Sequence, residues 1–449
     1  MDAVVVGGGL VGSTLAERLS QDGHSVTVVE QSASQLRSLS DHLDVATVHG
    51  SGSSVDSLRR AGIESCDVLF ACTSSDEVNM VVALMGAAIF KVPRVVARLR
   101  APEAEASFQV IADKLPGEHV SLNPELAAVE KILSLLPVPG AVDVSPFLDG
   151  RLLIAGFPIR QGSDFGGLLL SHMRLLFAGT PVMVVAIRRG SVWIVPHGDD
   201  EIRVGDLVYF ALDRAEMTNV LALLGTHPAT DRRVLVAGAT RIGVAVAQRL
   251  EAKGTAVTLV EADEAACLEA AATLQRAMVV QGSPTDQALL EEEGTPHGAA
   301  FIACTDDHQV NVVASLLARR LGAAHTFALV DDPALSGLVG DLGIDAVISP
   351  RLLTVGLAAQ FVRRGRVRAA AALLEDHVEV VEAEITAGGR LTRSTLRDLA
   401  LPRGVLVPAI LRYGGLLVPR GDDRLQAGDR AVLAITAERA VELDAVLAE

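Results

Sequence analysis

The chain has 449 residues, half of them hydrophobic but only 3% aromatic, and a net charge of −16. That length holds roughly two to four domains with aliphatic cores, and an acidic chain without a long basic run excludes a nucleic-acid surface, which needs clustered Lys and Arg. The longest apolar run, 80–90, has eleven residues, short of the about 20 that span a membrane.

The chain enters a strand at once, AVVVG (3–7), so no signal peptide and a cytoplasmic location are expected. The loop Gly7-Gly8-Gly9-Leu10-Val11-Gly12 follows, and the helical stretch STLAERLSQ comes next. Strand, glycine loop and helix together form a dinucleotide-binding pattern. Gly7 permits the tight turn, Gly9 lets the backbone approach a pyrophosphate, and Gly12 lets helix and strand pack closely. The helix N-terminus offers unpaired N–H groups to phosphates. SVTVVE (25–30) is the second strand. It ends on Glu30, 23 positions past Gly7, where a carboxylate can accept from ribose hydroxyls and would repel a 2′-phosphate. NAD(H) or an adenine nucleotide is therefore favoured over NADP.

VATVHG, VLFACT and RVVARL supply further strands, with EVNMVVALMGAAIF as a helix among them. This alternation predicts a doubly wound parallel sheet. Thr73 and Ser74 follow the fourth strand at the carboxyl edge, where such sheets bind ligands. Ser74 also fits as the cap of the next helix, since Ser74-Ser75-Asp76-Glu77 reads as a capping box. Arg98 ends the fifth strand within reach of a phosphate.

PELAAVEKILSLL (124–136) is an apolar helix with Pro124 at its start, where a missing N–H costs little. Its faces match no core of its own unit, so packing on a neighbouring domain or chain is expected. After it come shorter strands broken by the turns GDD (198–200) and VGD, which predict hairpins in a small α+β lobe.

The chain then repeats itself. RVLVAGATRIGVAVAQRL matches the N-terminal stretch: Gly238, Gly243 and Glu261 lie 231 positions after Gly7, Gly12 and Glu30. Thr305 and Asn311 likewise answer Thr73 and Asn79. A second apolar helix, PRLLTVGLAAQFVRR (350–364), starts at Pro350 and carries the same expectation of packing on a neighbouring domain or chain. The stretch 184–212 recurs at 407–435, with GDD again at 421–423. The order is A-B-A′-B′. In B′ the stretch STLRDL (394–399) reads as the start of a short helix.

The second copy departs from the glycine pattern as Gly238-Ala239-Thr240-Arg241-Ile242-Gly243, and Leu329 falls where Arg98 aligns. A side chain at Thr240 stands where a backbone should meet the pyrophosphate. Two readings stay open: an altered site taking a mononucleotide, with Arg241 supplying charge, or a degenerate structural lobe.

Catalytic groups are not evident. The turn acids at 199, 200, 422 and 423 read as structural. His197 is answered by Arg420, and the histidines show no metal-ligand spacing. The cysteines form no CxxC pair, as expected of core thiols in a reducing compartment. Neither GxSxG nor a Walker A lysine occurs. An enzyme is therefore not expected.

VVVGGGLVGSTLAERL with Glu30, ACTSSDEVNM, RVVARLRAPE, VISPRLLTVGL and the doubled GDD…GD turns, in this order, resemble the tandem RCK-domain family of Trk potassium uptake systems over essentially the whole chain. The resemblance implies two Rossmann-like doubly wound lobes of α/β class (1–123 and 231–348), each followed by a small α+β lobe (141–226 and 366–449). It implies a cytoplasmic subunit, peripheral on the inner face of the membrane, forming a homotetrameric ring under an integral membrane K⁺ subunit of TrkH type. NAD(H) and ATP, ADP or AMP would bind the Rossmann lobes and gate that subunit. The residues carried over are Gly7 to Gly12, Glu30, Thr73, Ser74 and Arg98, then Gly238 to Gly243 and Glu261. The alternatives are an NAD-dependent oxidoreductase and a nucleotide sensor for another channel or antiporter.

Overall fold

Runs of β-branched residues make the central strands, because both faces of each are covered. The first lobe runs β1 (Asp2–Val6), α1 (Leu10–Gln21), β2 (Ser25–Glu30), α2 (Ala33–His42), β3 (Ala46–His49), α3 (Val55–Arg60), β4 (Val68–Ala71), α4 (Asp76–Leu84), β5 (Arg94–Arg98), α5 (Pro102–Ala112) and β6 (Glu118–Leu122). Its sheet has the order β3-β2-β1-β4-β5-β6, with every pair parallel. This is the doubly wound order, and the chain reverses direction across the sheet between β1 and β4. The sixth strand was not expected from the sequence. The long helix expected over 77–90 is α4 followed by a π-helical turn, Met85–Ile89.

The structure is a computed structural model that describes residues 1–177, 182–224, 233–295, 299–332, 335, 342–363, 367–373, 377–399, 401 and 404–436. The expected domain limits at 226, 231, 366 and 449 lie outside the described residues. The chain forms two units, Met1–Ala128 with Ser349–Arg363, and Val129–Ile348 with Arg364–Glu449.

α6 (Pro124–Leu135) begins at its proline, and Asn123 Oδ1 accepts from the Glu125 and Leu126 amides at 3.0 and 3.1 Å. The first small lobe holds β7 (Asp143–Phe147), β8 (Leu152–Pro158), α7 (Leu170–Leu176), β9 (Val182–Arg189), β10 (Val192–Ile194), β11 (Leu207–Asp213) and α8 (Met217–Leu223). The second Rossmann lobe holds β12 (Arg233–Ala237), α9 (Arg241–Ala252), β13 (Ala256–Glu261), α10 (Glu264–Thr273), β14 (Met278–Gln281), α11 (Gln287–Glu292), β15 (Ala300–Ala303), α12 (His308–Arg320), β16 (His325–Leu329) and β17 (Ala346–Ile348). Its parallel order, β14-β13-β12-β15-β16-β17, repeats the first.

α13 (Pro350–Arg363) follows β17 in the chain, yet it belongs to the first unit. Val355, Ala358, Phe361 and Val362 share a core with Ala3, Val5, Leu15, Ala16 and Leu19. Arg94 Nη1 donates to the Val362 carbonyl at 2.7 Å. The expectation that this helix packs away from its own repeat is met within the same chain. In α6, Glu130 pairs with Arg249 of α9 at 2.8 Å.

The second small lobe has β18 (Val367–Leu373), β19 (Val378–Glu384), β20 (Val405–Arg412), β21 (Gly415–Leu417) and β22 (Arg430–Thr436). The two small sheets, β10-β9-β11-β8-β7 and β18-β19-β22-β20-β21, are antiparallel and have corresponding orders. They also share one apolar core, in which Leu152, Ile154, Tyr209 and Ala211 meet Val378, Val380, Ala409 and Val432. Buried Glu382 accepts from the Leu148 amide at 2.8 Å and pairs with Arg430, which also reaches Asp149. The short helix expected at 394–399 is absent. The segment forms a turn held by Thr395, which accepts from the Asp398 amide at 3.3 Å.

The repeated acids sit in these turns. Asp200 and Asp423 accept from the amides of His197 and Arg420, at 2.7 and 2.6 Å. Asp206 and Asp429 each take two hydrogen bonds from an arginine, Arg189 and Arg412. Burial pushes the Asp206 carboxyl up, but the bonds from Arg189 and the Arg203 amide outweigh it and hold it below the usual carboxylate range. A depressed folded value contributes stability above about pH 4 that is lost as pH falls through that value. Asp206→Asn is expected to destabilise the second unit by about 1.5 kcal/mol at neutral pH. It should also flatten the acid limb of stability against pH, as read by denaturant unfolding across pH 2–7 (a range set by about two pH units around carboxylate titration).

Candidate functional site

The glycine loop leaves β1 with Gly7 at φ +102°, and the Gly7 amide donates to the Val29 carbonyl at 2.9 Å. A Cβ on Gly7 would press within 3.0 Å of the Cys72 and Thr73 backbone, and one on Gly12 would overlap the Gly7 carbonyl oxygen. These two glycines let α1 start directly against the strand ends. Gly9 differs. It is the N-cap of α1 at φ −69°, and no side chain caps the helix. A Cβ there would meet no protein atom within 4 Å. The space in front of Gly9 is open, and the first-turn amides of α1 lack a side-chain partner.

Leu10, the first residue of α1, is largely exposed, while the Val11 side chain is buried. What these positions offer a ligand is backbone N–H. Glu30 does more than the sequence assigns to it. Its Oε2 accepts from the Gly8 amide at 2.6 Å, and its Oε1 from the Gln31 and Ser32 amides at 2.7 and 2.8 Å. The carboxylate therefore fixes the loop, and its remaining lone pairs can accept from a further donor.

Across the crevice, Thr73 and Arg98 come together through Asn79. Asn79 is fully buried; its Oδ1 accepts from the Thr73 amide and hydroxyl, both at 2.8 Å. Its Nδ2 donates to the carbonyls of Thr73 at 3.1 Å and Arg98 at 2.8 Å. Arg98 Nη1 donates to the Thr73 carbonyl at 3.2 Å, but its buried Nε has no hydrogen-bond partner. Burial, and then the neighbouring Arg100 charge, weaken the hold of the Arg98 guanidinium on its proton. An anion in the crevice would relieve both strains.

Ser74 does not cap α4. The N-cap is Ser75, which accepts from the Val78 amide at 3.2 Å, while Ser74 is exposed and its carbonyl accepts from Arg100 at 2.5 Å. Adjacent serines made the register ambiguous in sequence. Asn79 was visible only as a residue repeated at Asn311, and the repeat was the signal that could have revealed its role.

The second lobe reproduces the frame and changes the contacts. Gly238 has φ +109°, and a Cβ on Gly243 would overlap the Gly238 carbonyl. Glu261 accepts from the Ala239, Ala262 and Asp263 amides at 2.7, 2.7 and 2.9 Å, as Glu30 does in its lobe. Asn311 ties Thr305 to the Leu329 carbonyl at 3.0 Å. Leu329 is buried where Arg98 stood. Thr240 caps α9 with its own hydroxyl, accepting from the Gly243 amide at 3.2 Å. Arg241 is the first residue of α9, not a loop residue, and Ile242 is buried.

The four cysteines are buried and free. Burial pushes the thiols of Cys72 and Cys304, beneath the two glycine loops, up to about 12. Among the described residues no cluster of His, Cys, Asp and Glu suits a metal, and no helix is long and apolar enough to cross a membrane.

Known proteins are similar to this chain in sequence and in fold. The TrkA-N domain family matches residues 3–115 and 234–350, and the TrkA-C domain family matches 380–448. The Trk system potassium uptake protein TrkA of Azorhizobium caulinodans is 36% identical over 438 residues, 96% of this chain and 95% of that protein. Its counterpart from Halomonas elongata is 32% identical over 444 residues, covering 98% and 97%. Among solved structures, the GsuK RCK domain aligns with a TM-score of 0.62 at 19% identity, covering 99% of this chain and 94% of that one. The GsuK channel bound to NAD aligns at 0.61 and 18%, covering 99% and 78%. Two Rossmann lobes, each followed by a small antiparallel lobe, and matches that run nearly the whole length lead to one conclusion: the chain belongs to the TrkA family of Trk system potassium uptake proteins.

Proposed function

We propose that the chain is the cytoplasmic regulatory subunit of a Trk-type potassium uptake system, and that it binds NAD(H), with ATP or ADP as competing ligands, in its first Rossmann lobe. The observation that carries this reading is the uncapped N-terminus of α1 with open space at Gly9, in the lobe where Arg98 has a buried, unpartnered Nε. Phosphates suit that setting on charge and on hydrogen bonding. Glu30 would take the ribose and disfavour a 2′-phosphate. A structural neighbour, the GsuK channel, is described as bound to NAD, which accords with this choice.

The ligand acts as a signal and undergoes no reaction. It shifts a conformational equilibrium by its differential affinity for two states, and the shifted state opens or closes a membrane K⁺ subunit of TrkH type above a tetrameric ring. Calorimetric titration with NADH, NAD⁺, ATP and ADP tests the reading. We expect micromolar binding, weakened about tenfold or more by Arg98→Leu and by Glu30→Ala. Unfolding curves run alongside separate lost contacts from a loosened loop. Absence of binding to all four ligands would sink the proposal, as would NADH turnover by the purified chain.

A further inference from the structure

The duplicated lobes are built alike around the crevice but differ at the point that matters for an anion. We propose that Thr240 is a built-in occupant of the second lobe's phosphate position, so that this lobe takes no nucleotide and the chain carries a single nucleotide site. The inference rests on the nucleotide reading of the first lobe.

The Thr240 hydroxyl makes two bonds at once. It donates to the Cys304 carbonyl at 2.7 Å and accepts from the Gly243 amide at 3.2 Å. The first bond crosses from the start of α9 to the end of β15. The two strands that flank this gap, β12 and β15, are neighbours in the sheet, and their carboxyl ends form the switch-point crevice in which such sheets hold ligands. The second bond uses a first-turn donor that a phosphate would need. A nucleotide could enter only by turning Thr240 away, which breaks both bonds. At Gly9, the matching position, nothing stands within 4 Å of a Cβ.

Charge agrees with geometry. Leu329, 6% exposed, takes the place of Arg98, so the crevice has lost its cation. Arg241 lies at the start of α9, not at the end of the fifth strand where Arg98 stands in the first lobe. Retention of Glu261 does not argue for a ligand, because its carboxylate already holds the Ala239, Ala262 and Asp263 amides. That structural task keeps the acid in place whether or not a ribose ever arrives.

The test counts NADH per full-length chain by calorimetry. Wild type should bind one. Gly9→Thr, which copies the second lobe's cap into the first, should weaken that binding at least about tenfold. Thr240→Gly with Leu329→Arg should add a second NADH. Thr240→Gly alone, which leaves the buried Leu329 untouched, should add a weaker one. A readout free of nucleotide is hydrogen exchange at the Gly243 amide, which Thr240→Ala should speed about fivefold. Two NADH per wild-type chain, or unchanged Gly243 exchange in Thr240→Ala, overturns the self-cap. A wild-type chain that binds no NADH overturns the nucleotide reading instead, and the Gly243 exchange then decides the self-cap by itself.

Discussion

Phe361→Ala is expected to destabilise the first unit by about 4 kcal/mol. The ring is 3% exposed in a core shared with Ala3, Val5, Leu15, Ala16 and Leu19. Its loss removes buried apolar area and leaves a void that rigid strands β1 and β4 cannot collapse around. Denaturant unfolding, with hydrogen exchange followed on the β1 and β4 amides, reads the effect where it should fall. Leu352→Ala, at a position 51% exposed on the same helix, should change stability by less than about 0.5 kcal/mol. If the β1 amides of Phe361→Ala keep wild-type protection, α13 is not part of the first unit's core. The result matters for function because Leu15, Ala16 and Leu19 belong to α1, the helix whose N-terminus faces the proposed phosphates. A segment that follows β17 in the chain thus supports the helix that would sense the nucleotide.

Gly12→Ala should cost about 3 kcal/mol and remove NADH binding, because its methyl overlaps the Gly7 carbonyl oxygen and must push α1 off β1. Gly9→Ala should leave stability within about 0.5 kcal/mol of wild type, since its methyl meets no protein atom within 4 Å and its backbone at φ −69° suits any residue. Its NADH affinity should nevertheless fall about tenfold. The same motif would then contain glycines required by two different neighbours, the protein at Gly12 and the proposed ligand at Gly9. Thermal unfolding and calorimetry on the two variants separate them. A Gly12→Ala protein with wild-type melting would show that the helix can shift freely. A Gly9→Ala protein with wild-type affinity would mean that the pyrophosphate lies elsewhere.

Much of the architecture was legible because buried parallel strands leave uninterrupted β-branched runs and because every unit occurs twice. The first five strands of the first lobe, the glycine loop and the Gly-Asp turns could all be read this way. Less legible were features decided by tertiary contact. β6 is short and half polar, Glu-His-Val-Ser-Leu, so no apolar run marks it. α13 has a helical pattern, but its partner is chosen by packing on residues 3–96, far earlier in the sequence. STLRDL carries a good N-cap pair, yet Thr395 and Asp398 spend it on a turn. At the site, Glu30 was readable as a carboxylate at the right distance, whereas its grip on three loop amides depends on where Gly8, Gln31 and Ser32 fold. Thr240 was readable as a departure, and only the structure reveals the two hydrogen bonds that make it a cap.

The shared core of the two small lobes carries a consequence for how such a chain can change. Two identical subunits joined through such a core would have to tolerate every substitution twice, once on each side of the contact. Here Tyr209 and Ala211 share one core with Val378 and Val432, different residues encoded separately, so each half can vary while the other stays fixed. Covalent pairing also guarantees that a half which has lost Arg98's counterpart is always matched with one that keeps it. Tandem duplication thus frees the two copies from symmetry, so that Leu329 can stand in one lobe at the position that Arg98 holds in the other.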